Sequence, residues 1–417
     1  MPFGFGGQSV MQRLSKSKCN LILPRRQFIG GAGLGIAGLA LPACSTTGVR
    51  TASAVAPPAR CLPPVEVSHA RIIREIVGLR PFRDAGFVVR EESLGTRRLI
   101  HNYGHGGAGI TLSWGTSKLA TELGLQGHQG PVAVIGAGVI GLTTASLVQE
   151  AGFPVTIYAD ALPPGTTSNS AGGQWLPASY FEGPATTPEW RAQNDRAIAY
   201  SYRRFQIMVG EDYGVRWLTN YFEVKPLPTD LPPGVSISQP TSGSPIQPDW
   251  RMLERNEHPF PFERARQHQV MMVEPHRFLR KLMEDIRIAG GKIQVRRFAS
   301  AAEIGALPET LIFNCTGLGA RQLFGDNALY PIRGQLVMLV PQEEVDYALG
   351  ANGGYMFPRS DGIVLGGTYE KNEWSTVPDP ATTARIITLH QQVFNNFRCG
   401  NPGNGPAASP ASDRALK

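Results

Sequence analysis

The residues with the clearest chemistry are Gly136-Ala137-Gly138-Val139-Ile140-Gly141, a GxGxxG pattern of the kind that binds dinucleotides. The first glycine permits a tight turn, the second lets backbone approach a pyrophosphate, and the third lets a helix pack on a strand. The following helix offers unpaired N–H groups to the anion. Asp160 lies 24 residues after Gly136, where its carboxylate can accept hydrogen bonds from a ribose hydroxyl. The alternative is that the glycines serve only a tight turn between strand and helix.

Three hydroxyl side chains follow on a loop, Thr166-Thr167-Ser168. Hydroxyl and amide donors at this place can reach the pyrophosphate from its other side. A plain turn rich in Ser and Thr is the alternative.

A second glycine-rich stretch, His101 to Gly115, reads HNYGHGGAGITLSWG and is otherwise strand-like. Glycine has no Cβ, so such a segment lets backbone approach a flat ligand closely. His101 and His105 are predicted to be structural, because the glycines around them argue against a metal pair on a helix. The five cysteines show neither zinc spacing nor the pattern of a disulfide framework, so no metal site is predicted.

The elements that must position these residues follow from apolar periodicity. Val132–Ile135 and Val155–Tyr158 are predicted strands, and Leu142–Ala151 between them is a predicted helix, which together make one βαβ unit. Two further helices and three further strands are predicted: Glu189–Val209, Pro275–Ala289, Leu311–Phe313, Gly334–Leu339 and Ile363–Leu365.

The bulk composition suits a globular enzyme. The chain has 417 residues, with 42% hydrophobic and 18% charged side chains, which predicts two intertwined domains. The net charge is +7, but the Lys and Arg are scattered, with no basic strip interleaved with aromatics. Nucleic-acid binding is therefore not predicted.

The N-terminus has the pattern of an export signal. A basic region precedes the apolar run from Ile29 to Leu41, which is too short to span a bilayer. Arg25-Arg26 resembles a twin-arginine motif, so export by that machinery is expected, and Leu41-Pro42-Ala43-Cys44 makes Cys44 a candidate lipid anchor. The expected location is the periplasm, either free or as a membrane-anchored lipoprotein. The alternative is a chance arginine pair before an apolar start.

Several motifs together resemble one family, the FAD-dependent D-amino-acid oxidases, which include D-aspartate oxidase. The resemblance spans most of residues 65 to 398, and the most specific motifs are those at Gly78 and His101. The motifs are VAVIGAGVIGLTTASLVQEAGFPVTIYAD, TTSNSAGGQWLP, FNCTG, RGQ, LGGTYEKNEW, GLRPFR and HNYGHGGAGITLSWG.

The resemblance implies a fold, a cofactor and a reaction. The fold class is α/β, with a Rossmann-like FAD-binding domain interleaved with a substrate domain on a mostly antiparallel sheet. The implied cofactor is FAD. The implied reaction is oxidative deamination of a D-amino acid to a 2-oxo acid, ammonia and hydrogen peroxide, with oxygen as the electron acceptor.

The motif order differs from that of the family, in which the GxGxxG strand comes first and the GLRP and HNYGHGG motifs close the chain. Here that closing block precedes the fingerprint, so a circular permutation is expected. The old ends would be joined by residues 126–130, and the new ends would lie between Arg398 and Leu62. A misassembled gene model is the alternative.

The predicted domain organisation follows from this order. It consists of an export signal (1–44), a flexible tether (45–64), the permuted closing block (65–126), the FAD-binding βαβ unit (131–180), mixed segments of both domains (181–310), a return to the FAD domain (311–330), the substrate-domain sheet and lid (331–398) and a disordered tail (399–417).

By resemblance, a clamp holds the substrate. Arg80 would bind its carboxylate through a two-pronged ion pair, and the Tyr355 hydroxyl would touch the same group. Gly107 would lie near the substrate amine. Without the family, Arg80 is a surface or packing residue and Tyr355 a core tyrosine at the start of a strand.

The resemblance also implies the cofactor contacts. The HNYGHGG loop would supply amides to the isoalloxazine, with Thr111 near its pyrimidine end. The predicted cofactor-binding residues are Gly136, Ala137, Gly138, Val139, Ile140, Gly141, Asp160, Thr166, Thr167, Ser168, Gly172, Gly173, Phe298, Gly106, Gly107, Gly109, Ile110 and Thr111.

Two departures from the family concern the substrate pocket. Ala351 stands where the family's lid has a second tyrosine, and Leu176 stands where it has a glutamine. Both changes remove a polar group that could contact the substrate, which predicts an open and rather apolar pocket. No second basic residue marks a dicarboxylate specialist.

Other functions stay open at this point. One is an oxidase of glycine or another amine, or a dehydrogenase that uses a different electron acceptor. Another is an exported FAD-binding protein without turnover. Cys315 is interpreted as a packing residue rather than a nucleophile. Oligomeric state is not predicted.

Overall fold

The computed structural model describes residues 61–225 and 250–398. These residues belong to one unit, 56–417. The predicted export signal, most of the predicted tether, residues 226–249 and the predicted tail 399–417 lie outside the described residues.

Numbered in chain order, the strands are β1 (Ile72–Phe82), β2 (Val88–Leu94), β3 (Arg97–Tyr103), β4 (Val132–Ile135), β5 (Val155–Ala159), β6 (Val215–Glu223), β7 (Arg251–Glu254), β8 (Arg264–Val273), β9 (Lys292–Val295), β10 (Leu311–Asn314), β11 (Tyr330–Leu339), β12 (Tyr347–Ala351), β13 (Gly354–Arg359), β14 (Gly362–Gly366) and β15 (Glu370–Lys371). The helices are α1 (Gly109–Leu125), α2 (Val139–Glu150), α3 (Pro188–Ile207), α4 (Pro275–Ile288), α5 (Ala301–Gly305), α6 (Gly319–Phe324) and α7 (Pro380–Phe394).

A six-stranded sheet has the order β2-β3-β10-β4-β5-β9. All its neighbouring pairs are parallel except β2 with β3. Every residue of β4 and β5 is buried, as expected of strands covered on both faces. The predicted βαβ unit is confirmed, although α2 begins at Val139, three residues before the predicted start, because Gly138 occupies the N-cap.

The stretch from His101 to Gly115 is not a single strand-like run, contrary to the expectation from its composition. Strand β3 ends at Tyr103 and α1 begins at Gly109. Close packing explains the helix: a Cβ added at Gly115 would lie 2.5 Å from Ala197 Cα of α3, so the two helices meet backbone to backbone. Tertiary packing here overrides the β-branched and aromatic composition.

The larger sheet has nine strands in the order β1-β11-β14-β13-β12-β6-β8-β7, with β15 also pairing with β11. Its pairs are antiparallel except β6 with β12, so the predicted mostly antiparallel sheet is confirmed. One apolar cluster on this sheet contains Leu62 and Val65 together with Val393 and Phe394. Both outer ends of the described chain therefore pack into the same core.

One covalent feature was not predicted. Cys61 is disulfide-bonded, whereas Cys315 is free and buried. Within residues 61–225 and 250–398 no helix is long and apolar enough to cross a membrane, and no cluster of potential metal ligands occurs.

Candidate active site

A cavity of about 840 Å³ lies where the two sheets meet. Its lining includes the loops after β4 and β5 of the small sheet and residues of β1, β11 and β13 of the large sheet. All predicted site residues line it except Gly141. The fold thus brings together residues that are far apart in the sequence, from Arg80 near the start of the described residues to Tyr355 near their end.

The glycine turn after β4 forms the nucleotide end of the cavity. Gly136 has φ +111°, a conformation that favours glycine, and a Cβ there would lie 2.5 Å from the Cys315 carbonyl oxygen. A Cβ at Gly141 would lie 2.8 Å from the Gly136 carbonyl carbon, so this glycine closes the turn against the helix rather than lining the cavity. Asp160 follows β5 and lines the same end.

The hydroxyl loop lies directly over this turn. The Val139 N–H donates to Ser168 Oγ at 2.9 Å, and a Cβ at Gly138 would lie 3.2 Å from the same oxygen. Thr166 and Thr167 also line the cavity. The loop therefore meets the first turn of α2, where an anion would find N–H and hydroxyl donors together.

The second glycine-rich loop forms the middle of the cavity. Gly106 has φ +51°, and a Cβ there would lie 2.8 Å from the Ser179 carbonyl oxygen. The Gly107 N–H donates to that oxygen at 2.8 Å. This amide is therefore engaged within the protein. Ile110 and Thr111 line the cavity from the first turn of α1.

The two histidines of this loop are structural, as predicted. His101 is buried and contacts Asn314 Nδ2 at 2.9 Å, and His105 contacts Thr116 Oγ1 at 2.9 Å. Burial lowers the pKa of the His105 imidazole to about 3, and burial also lowers the pKa of His101. His105 is therefore neutral at ordinary pH.

Arg80 and Tyr355 lie at the opposite end of the cavity. Arg80 Nη1 donates to the Thr368 carbonyl oxygen at 3.2 Å, and the Tyr355 ring stacks on Phe357 with centroids 4.6 Å apart. Burial raises the pKa of the Tyr355 phenol, and the neighbouring Arg80 guanidinium opposes part of that rise. The pair thus presents a fixed cation beside a neutral hydroxyl, which suits a carboxylate.

The comparisons with known proteins agree with this geometry. The family model described as "DAO: FAD dependent oxidoreductase" matches residues 45–123 and 131–403. The chain belongs to this family. A D-amino-acid oxidase from Rubrobacter xylanophilus is 30% identical over 61% of this chain and 74% of its own length. A D-amino-acid oxidase from Streptomyces coelicolor is 31% identical over 64% and 79%, and human D-aspartate oxidase is 29% identical over 62% and 74%.

The residues of this FAD-dependent oxidoreductase fit its cofactor. The Asn102 side chain is fully buried, and its Nδ2 donates to Ser117 Oγ and Thr144 Oγ1 at 3.3 and 3.2 Å. Its Oδ1 has no hydrogen-bond partner among the described residues, although Asn102 lines the cavity. The glycine turns at Gly136 and Gly106, where a Cβ would meet backbone oxygens, leave room for a long ligand such as FAD.

The cavity lining includes the apolar side chains of Leu176, Leu336 and Phe357 and the amide of Gln174. The cations that line the cavity are Arg80, Arg296 and Arg297, and the last two follow β9 at the nucleotide end. Ala351 does not line the cavity.

Among the cavity-lining residues that sequence reasoning missed are Tyr369 and Gln174. Tyr369 lines the cavity, is 45% exposed and packs edge-on against Phe82 at 6.5 Å between centroids. It stands inside the LGGTYEKNEW motif, which was a signal available in the sequence. Gln174 had a weaker signal, since it lies two residues before Leu176 on an extended segment.

Cys315, the free cysteine of the described residues, is a packing residue rather than a nucleophile, as predicted. Cys315 lines the cavity, but burial raises the pKa of its thiol to about 12. The thiolate is the nucleophilic form, and it is absent at ordinary pH.

Proposed function

We propose that this FAD-dependent oxidoreductase oxidises D-amino acids. A D-amino acid, oxygen and water would yield a 2-oxo acid, ammonia and hydrogen peroxide. The observation that carries the proposal is that Arg80 and Tyr355 face the same cavity as the glycine turns. The names of the curated relatives support the choice of D-amino acids.

The protein's part in this reaction is to bind and orient. Arg80 would hold the substrate carboxylate, and the Tyr355 hydroxyl would donate to it, which fixes the α-carbon in the cavity. Bound FAD would supply hydride acceptance from that carbon and reoxidation by oxygen. His105 stays neutral and bonded to Thr116, so it does not act as the general base.

The substrate side chain is proposed to be neutral and mainly apolar. Leu176 and Leu336 line the cavity, and the other cations that line it, Arg296 and Arg297, follow β9 rather than the strands that carry Arg80 and Tyr355. A carboxylate side chain would therefore lose its hydration without gaining an ion pair. Initial rates with D-leucine, D-alanine and D-aspartate test this, and a clear preference for D-aspartate would contradict it.

The reaction itself is tested by anaerobic mixing of the purified yellow protein with a panel of D-amino acids. Loss of flavin absorbance at roughly 450 nm with D-forms and not with L-forms is expected. Admission of air should then restore the absorbance rapidly. Slow recovery would favour a dehydrogenase with another acceptor, and bleaching by glycine alone would favour an amine oxidase. No bleaching by any substrate would favour a binding protein without turnover.

We also propose that the chain order is a circular permutation. The family match falls into two blocks separated by residues 124–130, which include the proposed joint at 126–130. Leu62 and Phe394, near the proposed new ends, belong to one apolar cluster. A variant that begins at residue 131 and carries residues 62–126 after 398 should fold, bind FAD and keep the same substrates. Failure of this variant to bind FAD would contradict the proposal.

Export to the periplasm, by the twin-arginine machinery and with Cys44 as a candidate lipid anchor, is proposed from the sequence. The disulfide at Cys61 supports it, because disulfides persist mainly in oxidising compartments. Fractionation of cells that express the full chain tests the location. An Arg25→Lys, Arg26→Lys variant should stay in the cytoplasm, and its appearance in the periplasm would contradict the route.

A further inference from the structure

The Arg80 side chain lies across the neighbouring strand β11. Strands β1 and β11 are antiparallel, with Gly78 opposite Gly334 and Arg80 opposite Ile332. A Cβ added at Gly334 would lie 2.7 Å from Arg80 Cζ and 3.1 Å from its Nη1. The guanidinium therefore rests on the bare backbone of Gly334.

Tyr355 packs in the same way against a second glycine. Tyr355 of β13 lies directly opposite Gly366 of β14. A Cβ at Gly366 would lie 2.5 Å from the Tyr355 hydroxyl oxygen. The stacked Phe357 ring restrains the tyrosine from another side.

Neither glycine is required by its backbone conformation. Both have φ values outside the left-handed region that favours glycine, so alanine fits the backbone at each position. The atoms that an added methyl group would meet belong to the ends of the Arg80 and Tyr355 side chains. An alanine would thus displace the clamp while leaving the strands in place.

Gln335, the residue after Gly334, positions Thr368, which also contacts Arg80. The Gln335 N–H donates to Thr368 Oγ1 at 2.6 Å, and the Thr368 carbonyl oxygen accepts from Arg80. The buried Gln335 side chain in turn donates to Thr383 Oγ1 at 2.9 Å. The RGQ motif therefore contacts the guanidinium through Gly334 and, through Gln335, holds the threonine whose carbonyl oxygen accepts from Arg80.

We propose that Gly334 and Gly366 are positioning residues that set where Arg80 and Tyr355 meet a carboxylate. The inference rests on the proposed function, because it takes Arg80 and Tyr355 as the carboxylate clamp. The inference can still be tested separately from the proposed function, because a methyl group at either glycine should weaken carboxylate binding without weakening FAD binding.

The test uses the FAD-loaded full chain and Gly334→Ala. Benzoate serves as the probe, because it carries a carboxylate but no α-hydrogen and cannot be oxidised. Its dissociation constant, read from the flavin spectrum, should rise roughly 10- to 100-fold, and KM for D-alanine should rise more than kcat falls. The FAD dissociation constant should stay unchanged. Gly183→Ala is the matched control, since a Cβ there meets nothing within 4 Å.

A double-mutant cycle with Arg80→Lys separates positioning from a general structural effect. If Gly334 acts through the guanidinium, adding Gly334→Ala to Arg80→Lys should change benzoate binding by less than roughly threefold. Equal effects in both backgrounds, or unchanged benzoate binding in Gly334→Ala, would overturn the inference. Benzoate binding by a parent protein that no D-amino acid reduces would instead overturn the proposed function and leave the inference about Gly334 and Gly366 unaffected.

Discussion

The two ends of the cavity use glycine for different reasons. At the nucleotide end, Gly136 has a positive φ and Gly141 makes room for backbone atoms within one turn. At the substrate end, Gly334 and Gly366 make room for side chains that arrive from other strands. The first use is local in the sequence and the second depends on strand pairing. Substitutions at the two ends should therefore separate cofactor binding from substrate binding.

The largest expected effect is at the substrate end, in Arg80→Met. Removal of the cation should lower kcat/KM for D-alanine by roughly three orders of magnitude while FAD stays bound, because the carboxylate loses its ion pair and its orientation. Steady-state rates and the flavin spectrum check this. Arg83→Met is the control, since Arg83 pairs with Asp326 at 2.9 Å and does not line the cavity. Retention of kcat/KM within roughly tenfold in Arg80→Met would show that the clamp is assigned wrongly.

The reciprocal change is Gly141→Ala at the nucleotide end. Its methyl group would meet the Gly136 backbone, which cannot move aside as a side chain can. We expect a loss of about 3 kcal/mol in the free energy of unfolding and a clear weakening of FAD binding. Denaturant titration and FAD titration measure the two effects. If Gly141→Ala kept FAD while Gly334→Ala lost it, the contrast between the two ends would be reversed.

The same contrast explains what the sequence could predict. The nucleotide end could be predicted because its elements lie within about 30 residues and follow known rules of spacing. These elements are β4, the glycine turn, α2, β5 and Asp160. The substrate end was reached only through resemblance for Arg80 and Tyr355. The position of Tyr369 and the contact between Gly334 and the Arg80 guanidinium depend on how β1, β11 and β14 pair, which periodicity does not specify. The helix from Gly109 was missed because packing of α1 on α3 decides it.

A smaller effect concerns the loop between the two ends. The pKa of His105 is about 3 in the folded chain against an ordinary 6.5, so the unfolded chain binds more protons between these values. Stability should therefore fall as pH drops below about 6.5, by about 2 kcal/mol between pH 7 and pH 5 from this group. In His105→Gln this contribution to the pH dependence of stability should be absent, which urea titrations at pH 7 and pH 5 measure. His69→Gln, at an exposed histidine, is the control, and an unchanged slope in His105→Gln would contradict the assignment.

The smallest expected effect tests how the substrate end recognises a side chain. Gln174 and Leu176 both line the cavity, whereas Trp175 between them belongs to the apolar core. Gln174→Leu should remove this amide from the cavity and lower kcat/KM for D-asparagine relative to D-leucine by roughly three- to tenfold. Gln269→Leu, on an exposed position of β8, should leave the ratio unchanged. An unchanged ratio in Gln174→Leu would mean that substrate side chains do not reach this amide.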